Sequence, residues 1–349
     1  MKPRLLRADN LTPPTRTPWG GEEILGHYKS SLGLTHQGVV GESWEISVEP
    51  SFPSRFADDG SLLRDAIAAD PDAWLGPEVA LKYAGQTPLL VKLLDAADNL
   101  SVQVHPEDGD PNLEADESGK PEAWIVLDAK PGAGLYLGFR DGVGPQEVTA
   151  CLDSGGALDA LMNFVPVSSG DTFIIAAGTP HAIGAGVTLV EPQYVAPGKR
   201  GVTYRFWDWG RRYDAQGRRD PDGEPRPLHV ERSLDVTSWK GLGASGFVER
   251  CRARPKCISS GPLERLLLVD WPWFISERWR GSGALEIESI GTMWALCVVE
   301  GHADLHFEGG VLRVSRGQSA VVPAALGAFR VEGQSLDMLS TYSPLSAPA

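Results

Sequence analysis

The chain has 349 residues, of which 42% are hydrophobic and 22% are charged, and its formal net charge is −14. This length predicts one large or two medium domains, and the acidic balance argues against nucleic-acid binding, which needs a cationic face. We expect neither a membrane span, since no apolar run approaches ~20 residues, nor a secretory signal. The four cysteines lack the C-x-x-C spacing of a thiolate zinc site, so we interpret them as packing residues of a cytoplasmic protein.

Short apolar runs between turn signals dominate the first two thirds of the chain and predict a mainly β fold of many short strands. A short helix is expected at 61–69, with Ser61 as its N-cap, and two more helices at 145–152 and 158–164. The predicted strands lie at 88–94, 100–104, 124–127, 135–139, 172–176, 187–190 and 203–207.

The remaining third reads as strands again, after a stretch of weak periodicity at about 238–262. The predicted strands lie at 292–299, 302–307, 312–314 and 320–322. We therefore predict a larger domain at 1–240, a linker at 241–262 and a smaller domain at 263–349.

An internal repeat relates the two predicted domains. Residues 170–181 align without gaps on residues 317–328, and each copy has a glycine turn, an apolar strand and a small-residue turn. The first copy ends in His181 and the second in Ala328. This pairing favours two related barrels, one that carries a metal and one that is metal-free.

Polar side chains share one face of the predicted strand at 100–104. Because side chains alternate along a strand, Ser101, Gln103 and His105 point to one side and the apolar residues to the other. For an isolated Gln-x-His pair, an ordinary edge strand with its polar face in water would be the better explanation. The residues that accompany this pair favour a metal site instead.

A carboxylate and a second histidine follow downstream. Glu122 opens the next strand on the same side as Lys120 and Trp124, and His181 lies on a tight turn. Together with Gln103 and His105 these residues supply two imidazoles, a carboxylate and a carboxamide, a donor set that suits Zn²⁺, with manganese, iron or cobalt as alternatives. A neutral amide in place of a third anion favours an anionic ligand at the open coordination position.

Six motifs in this order resemble the signature of type I mannose-6-phosphate isomerases, zinc enzymes of the cupin superfamily. The motifs are WGG at 19–21, GESWEIS at 41–47, SVQVHP at 101–106, GKPE at 119–122, GTPHA at 178–182 and TYRFWD at 203–208. The resemblance covers the chain from about residue 19 to 211 and implies two cupin-type (jelly-roll) barrels with a few short helices inserted in the N-terminal part. One departure is Ala176, where the cupin pattern has proline.

The resemblance implies roles for individual residues. It implies that one zinc ion per chain is bound by Gln103, His105, Glu122 and His181. It further implies that three residues line the site of a small sugar-phosphate substrate, namely Ser101, Lys120 and Arg205.

The expected reaction moves a proton between C1 and C2 of the sugar, which requires a base. We assign this role to Glu191, with a structural carboxylate as the alternative. Lys120 is expected to polarise O1 or to transfer a proton, unless it is a surface lysine. Arg205 is expected to bind the phosphate through its guanidinium fork, unless it only stacks among neighbouring aromatic rings.

Two other functions remain open at this point, since cupins host many activities. One is a different metal-dependent cupin enzyme such as an iron dioxygenase, although Gln103 stands where those enzymes usually have histidine. The other is a non-catalytic sugar-phosphate-binding cupin. The presence of Lys120, Glu191 and Arg205 favours catalysis. We interpret His302 and His306 as surface or core histidines, and His229 has no recognisable pattern.

Overall fold

The structure, a computed structural model, describes residues 1–242 and 246–345. The strands of the first two thirds are β1 (Arg4–Leu5), β2 (Glu42–Ile46), β3 (Leu89–Ala96), β4 (Val102–Val104), β5 (Glu117–Ser118), β6 (Glu122–Ala129), β7 (Gly134–Phe139), β8 (Met162–Pro166), β9 (Thr172–Ile175), β10 (His181–Ile183), β11 (Val187–Tyr194), β12 (Arg200–Gly201), β13 (Tyr204–Trp207), β14 (Arg212–Tyr213) and β15 (Glu224–Pro225). The remaining strands are β16 (Lys256–Ser259), β17 (Leu263–Asp270), β18 (Ile275–Ile287), β19 (Trp294–Phe307), β20 (Gly310–Ser315), β21 (Ser319–Val322) and β22 (Phe329–Tyr342). The prediction of a mainly β fold is confirmed.

The helices are short. The α-helices are α1 (Leu63–Ala69), α2 (Pro71–Leu75), α3 (Pro77–Lys82), α4 (Pro145–Asp153), α5 (Val230–Val236) and α6 (Phe247–Cys251). A π-helical turn at Ile24–Tyr28 and 3-10 turns at Ser30–Leu32, Leu158–Leu161 and Ala324–Leu326 complete them. Proline starts α2, α3 and α4, where its missing N–H costs no hydrogen bond. Within the described ranges, no helix is long and apolar enough to cross a membrane.

Two antiparallel five-stranded sheets build the part of the fold that holds the candidate site. Their strand orders are β13-β4-β10-β7-β8 and β2-β3-β11-β6-β9. One apolar cluster takes Leu135, Leu137 and Ile183 from the first sheet and Leu94 and Val126 from the second. The two sheets therefore pack against each other, and polar side chains on their inner faces meet.

The third large sheet has eight strands in the order β1-β21-β19-β22-β18-β17-β16, and β20 also pairs with β19. The N-terminal strand β1 belongs to it, because Arg4 pairs with Val321. Within the predicted linker at 241–262, the described residues form α6 and β16, and β16 pairs with β17. The domain boundaries themselves stay a prediction.

The internal repeat has matching local structure in both copies. Gly170 and Gly317 have φ angles of 94° and 78°, which glycine adopts without steric cost. Strands β9 and β21 follow them at the same offset and have the same length of four residues. The glycine turn and the apolar strand of the alignment therefore both have a structural counterpart.

Two local predictions were wrong. The helix expected at 158–164 is one 3-10 turn followed by β8, which pairs with β7. There, Asn163 Nδ2 donates to the carbonyl oxygens of Leu137 and Phe139 at 3.1 and 2.9 Å, so cross-strand bonding outweighs the local helical pattern. The N-cap of α1 is Leu62 rather than Ser61, whose hydroxyl donates to Asp59 instead.

The strands of the third sheet are longer than predicted, and several have no counterpart among the predicted ones. The runs expected at 292–299 and 302–307 form one strand, β19, which is 14 residues long. Strand β17 was not predicted. Strands β18 and β22 were not predicted either, because parts of them alternate between more buried and more exposed residues. Such alternation is typical of antiparallel strands with one solvated face and yields no continuous apolar run.

The cysteines are free thiols and differ in their exposure. Cys251 and Cys297 are buried, and burial raises the pKa of these thiols to about 11 and about 12. Both therefore behave as packing residues. Cys257 lies exposed on the edge strand β16, so the packing interpretation is wrong for this residue.

Candidate metal centre

Three predicted site residues form one row across the first sheet. Gln103 on β4 pairs with His181 on β10 at one side and with Arg205 on β13 at the other. The sequence predicted that His181 lies on the turn. It is instead the first residue of β10, directly after the turn. The turn itself needs Gly178, which has a φ of 76° and donates its N–H to His105 O at 2.8 Å. This bond ties the two histidine-bearing segments together.

The second sheet supplies a carboxylate that faces the two imidazoles. Glu122 opens β6, and its side chain is fully buried. Its Oε2 lies 3.3 Å from His105 Nε2, and its Oε1 lies 3.3 Å from His181 Nε2. The ligand-type atoms of these three residues all lie within 4.8 Å of one another.

Backbone carbonyls orient both imidazoles toward this carboxylate. His105 Nδ1 lies 2.9 Å from Val202 O, and His181 Nδ1 lies 2.8 Å from Thr179 O. Because a carbonyl oxygen only accepts, each Nδ1 carries the proton, and each Nε2 presents a lone pair, the usual arrangement of metal-binding histidine. Burial lowers the pKa of His105, and it lowers the pKa of His181 to about 3. Both rings are therefore neutral at pH 7.

The buried atoms of the cluster fit a divalent cation. His105 Nε2 and Glu122 Oε1 are buried without a hydrogen-bond partner among the described residues, and such orphaned groups are costly unless something compensates them. A cation between two imidazole lone pairs and a carboxylate would compensate them all.

The amide of Gln103 presents its nitrogen, rather than its oxygen, to the imidazole of His181. Its Nε2 lies 3.3 Å from His181 Nε2, and its Oε1 accepts a 3.4 Å hydrogen bond from Ser101. A metal ligand must offer the oxygen. Gln103 therefore needs a rotation of its amide to join the imidazoles, and the two orientations differ only in the exchange of O and N.

A buried hydrogen-bond network joins Glu122 to the predicted base. Gln193 Nε2 donates to Glu122 Oε2 at 2.6 Å and to Glu191 Oε2 at 2.7 Å. Trp124 Nε1 donates to Glu191 Oε1 at 3.0 Å, and Lys92 Nζ lies 3.6 Å from Glu191 Oε2. The strand pairing explains these contacts, because Glu191 lies opposite Lys92 and Gln193 opposite Glu122.

The environment of Glu191 favours a carboxyl group that can both take up and release a proton. Burial raises its pKa to about 7, the charge of Glu122 adds to this effect, and the charge of Lys92 opposes it. A pKa near the working pH is what general acid–base catalysis requires.

A cavity of about 440 Å³ adjoins the cluster and contains the remaining predicted residues. Lys120 is 8% exposed, and its Nζ lies 3.6 Å from Glu122 Oε2, so it is not a surface lysine. Arg205 Nε donates to Ser101 Oγ at 3.0 Å. The residues that line this cavity include Glu42, Trp44, Lys92, Ser101, Gln103, Lys120, Glu191, Arg205, Arg226 and His229.

Several residues in and around the site were not found from the sequence. Lys92 is the one cation in a strand that is buried throughout, and a buried charge needs a partner, so this residue carried a usable signal. Gln193 follows Glu191 by two positions and therefore points to the same side of β11. For Arg226 and His229 the sequence pattern holds no such signal.

His302 and His306 lie outside the candidate metal centre, whereas Glu42 borders the cavity. His302 and His306 lie on β19, and His306 Nε2 is 3.5 Å from Glu332. Within the described part of the chain, neither belongs to a group of three residues that could hold a metal. Glu42 accepts a 2.9 Å hydrogen bond from Trp44 Nε1, and both residues border the cavity.

The packed sheets and the buried His-His-Glu cluster define a metal protein of the cupin type. Residues 15–135 match the family model "Phosphomannose isomerase type I, catalytic domain", and residues 268–342 match "Mannose-6-phosphate isomerase, cupin domain". The chain is 32% identical to mannose-6-phosphate isomerase ManA of Bacillus subtilis over 70% of this chain and 72% of that protein. It is 28% identical to mannose-6-phosphate isomerase of Streptococcus mutans over 93% of this chain and 94% of that protein. The chain belongs to the type I phosphomannose isomerase family.

Solved structures share the whole fold. The crystal structure of the mannose 6-phosphate isomerase from Bacillus subtilis superposes with a TM-score of 0.81 at 23% identity, over 98% of this chain and 100% of that chain. A mannose 6-phosphate isomerase bound with zinc and yttrium has a TM-score of 0.72 at 18% identity, over 99% and 100%. The predicted cupin-type fold is therefore confirmed.

Proposed function

We propose that the chain is an aldose–ketose isomerase that interconverts mannose 6-phosphate and fructose 6-phosphate through a cis-enediol. The observation that carries this proposal is the pair of imidazole Nε2 atoms, each 3.3 Å from the same buried carboxylate, beside a cavity that also holds cations. The family to which the chain belongs supports this substrate class.

One Zn²⁺ per chain would be held by Gln103, His105, Glu122 and His181. The donor set of this site supports zinc, and so does the related isomerase that was crystallised with it. When bound, zinc supplies a Lewis acid that stabilises the negative charge developing on the O1/O2 side of the sugar.

Glu191 is the proposed base. Its carboxylate would take the proton from C1 or C2 and return it to the neighbouring carbon. Gln193 and Trp124 hold both of its oxygens in place by hydrogen bonds, so the carboxylate does not need to reorganise during the transfer. Lys92, 3.6 Å away, keeps part of the population ionised against the cost of burial.

Lys120 and Arg205 are the proposed cationic contacts with the substrate. Lys120 Nζ lies beside the metal carboxylate and would donate to a sugar oxygen at the reacting end. Arg205 offers the phosphate a bidentate guanidinium, and Ser101 holds that group by accepting from Nε and would offer the phosphate its own hydroxyl.

The two other functions considered from the sequence have less support. A dioxygenase is disfavoured by Gln103 and by the family match. A protein that only binds the sugar phosphate would not need a partly ionised carboxylate at Glu191 that hydrogen bonds hold in place. The proposal that the C-terminal barrel is metal-free is supported by the position of the possible metal ligands. Within the described residues, His105, Glu122 and His181 are the one group of three histidine, cysteine or acidic side chains that could hold a metal, and all three belong to the first part of the chain.

A coupled assay tests the proposed function directly. Conversion of mannose 6-phosphate to fructose 6-phosphate is followed in the purified protein, after chelation and after zinc is restored. Turnover that falls on chelation and returns with zinc supports the proposal. Binding of mannose 6-phosphate without conversion in the zinc-loaded protein would show a binding protein instead.

A further inference from the structure

Arg205 has an unusual electrostatic position for a half-buried arginine. Its Nε donates to Ser101 Oγ at 3.0 Å and its Nη1 to Pro227 O at 2.9 Å, and both acceptors are neutral. No carboxylate oxygen of the described residues lies within 4.0 Å of its guanidinium nitrogens. Burial lowers its pKa to about 10, and the charge of Arg226 adds to that effect.

Arg226 borders the same cavity and is also incompletely neutralised. Its Nη1 lies 3.5 Å from Asp208 Oδ1, and the same oxygen accepts a shorter hydrogen bond from Arg211 Nη2. Arg226 therefore shares one carboxylate oxygen with a better-placed competitor.

The charges in this cluster leave an excess of +2. Its ion pairs link Asp208 to Arg211 and Arg226, and Asp98 to Arg211 and Arg219. Arg211 and Arg219 balance these two carboxylates, so the excess lies on Arg205 and Arg226, which line the cavity. In a chain with a net charge of −14, such a local excess favours an anion, and a phosphate monoester carries about −1.5 to −2 at pH 7.

Two hydrogen bonds between His229 and Arg205 hold the segment that carries Arg226 next to Arg205. His229 N donates to Arg205 O at 2.8 Å, and Arg205 N donates to His229 Nδ1 at 3.2 Å. Because Nδ1 accepts, the ring is neutral and carries its proton on Nε2. Burial lowers the pKa of His229, as does the charge of Arg205, so this state persists at pH 7 and leaves Nε2–H as a donor on a residue that borders the cavity.

We infer that Arg226 and the Nε2–H of His229 complete the phosphate-binding end of the cavity beside Arg205. This inference rests on the proposed function, since it names the groups that recognise the phosphate of the same substrate. Two guanidinium groups match the charge and the several acceptor oxygens of a phosphate monoester. An unphosphorylated hexose would leave the excess charge uncompensated, so these residues select the phosphorylated sugar.

The test compares the zinc-loaded wild type with Arg226→Ala and Arg226→Lys. The matched control is Arg219→Ala, which removes the same charge from the cluster at a residue outside the cavity lining. For each protein, kcat and KM for mannose 6-phosphate, the inhibition constant of inorganic phosphate, the zinc content and the Tm are measured. Arg226→Ala is expected to raise KM and the phosphate constant by at least about tenfold and to leave kcat and zinc content nearly unchanged. Arg226→Lys keeps the positive charge but not the bidentate guanidinium, so its KM and phosphate constant should lie between those of the wild type and of Arg226→Ala. The control Arg219→Ala should keep both constants near the wild-type values.

The outcomes separate this inference from the proposed function. If Arg226→Ala lowers the Tm but leaves KM and the phosphate constant unchanged, Arg226 serves only to neutralise Asp208 and the inference is overturned. If the wild type does not convert mannose 6-phosphate, the proposed function fails, and calorimetric titration with inorganic phosphate still decides the role of Arg226. Weaker phosphate binding by Arg226→Ala supports the role, and equal binding, or none by the wild type, overturns it.

Discussion

Gln193 lies between the two buried carboxylates of the site, and one nitrogen donates to both. Its Nε2 is 2.6 Å from Glu122 Oε2 and 2.7 Å from Glu191 Oε2. Leucine has a similar volume but no donor. We therefore predict that Gln193→Leu destabilises the fold and that the loss depends on whether the metal is bound.

The size of this effect follows from the charge of the acceptors. A hydrogen bond to a charged group contributes about 1.5–3 kcal/mol, so losing both costs the chelated protein about 3–6 kcal/mol. With zinc bound, the ion compensates Glu122, so that only the loss of the bond to Glu191 remains costly, at about 1.5–3 kcal/mol. Glu191 keeps its bond from Trp124 in both states.

Urea unfolding at pH 8, where Glu191 is largely ionised, measures both differences. The wild type and Gln193→Leu are compared after chelation and after zinc loading, and Gln334→Leu, at an exposed position of β22, is the control. A loss below about 1 kcal/mol in the chelated protein, the value of an ordinary hydrogen bond, would refute the bridging role. An equal loss in both states would refute the link to the metal.

The other predictions concern the metal, the base and the phosphate. His105→Ala should lose zinc and turnover together, and an active metal-free variant would contradict the ligand role. Glu191→Gln should keep zinc but lose exchange of the C2 proton with solvent, followed by NMR in D₂O; full exchange would assign the base elsewhere. The base works only when ionised, so the rate falls as pH drops through its pKa. Lys92→Met should shift this acidic side of the pH–rate profile to higher pH, because Lys92 lowers the pKa of Glu191. An unshifted profile would show that Lys92 does not influence the pKa of the base. Arg205→Ala should raise KM for mannose 6-phosphate, and unchanged saturation would exclude its phosphate role.

The sequence predicted the residues that meet in the cluster because short-range rules place them. Alternation along a strand sets Gln103 and His105 on one face, and a glycine turn brings His181 to the neighbouring strand. The fold class followed from the same turn and strand signals. The spacing alone does not reveal that Glu122 comes from the facing sheet, because that contact depends on how two sheets pack.

Long-range contacts explain what sequence reasoning missed. His229 is held at the cavity by two hydrogen bonds with Arg205, and Arg226 lies three residues before it on the same segment. No periodicity in the sequence encodes such pairing. The second half of the helix expected at 158–164 lies in β8, because β7 provides hydrogen-bond partners for this segment. The long strands β18 and β22 escaped notice, since alternating residues give weaker local signals than continuous apolar runs.

One zinc ion is expected to bind between the imidazoles of His105 and His181 and the carboxylate of Glu122. An anomalous difference map at the zinc absorption edge, from crystals of the zinc-loaded protein, tests it most directly. We predict a single strong peak about 2.0–2.2 Å from both Nε2 atoms and from a Glu122 oxygen, with Gln103 Oε1 turned toward it. A peak elsewhere, or side chains that point away from a common centre, would show that these residues do not form the zinc site.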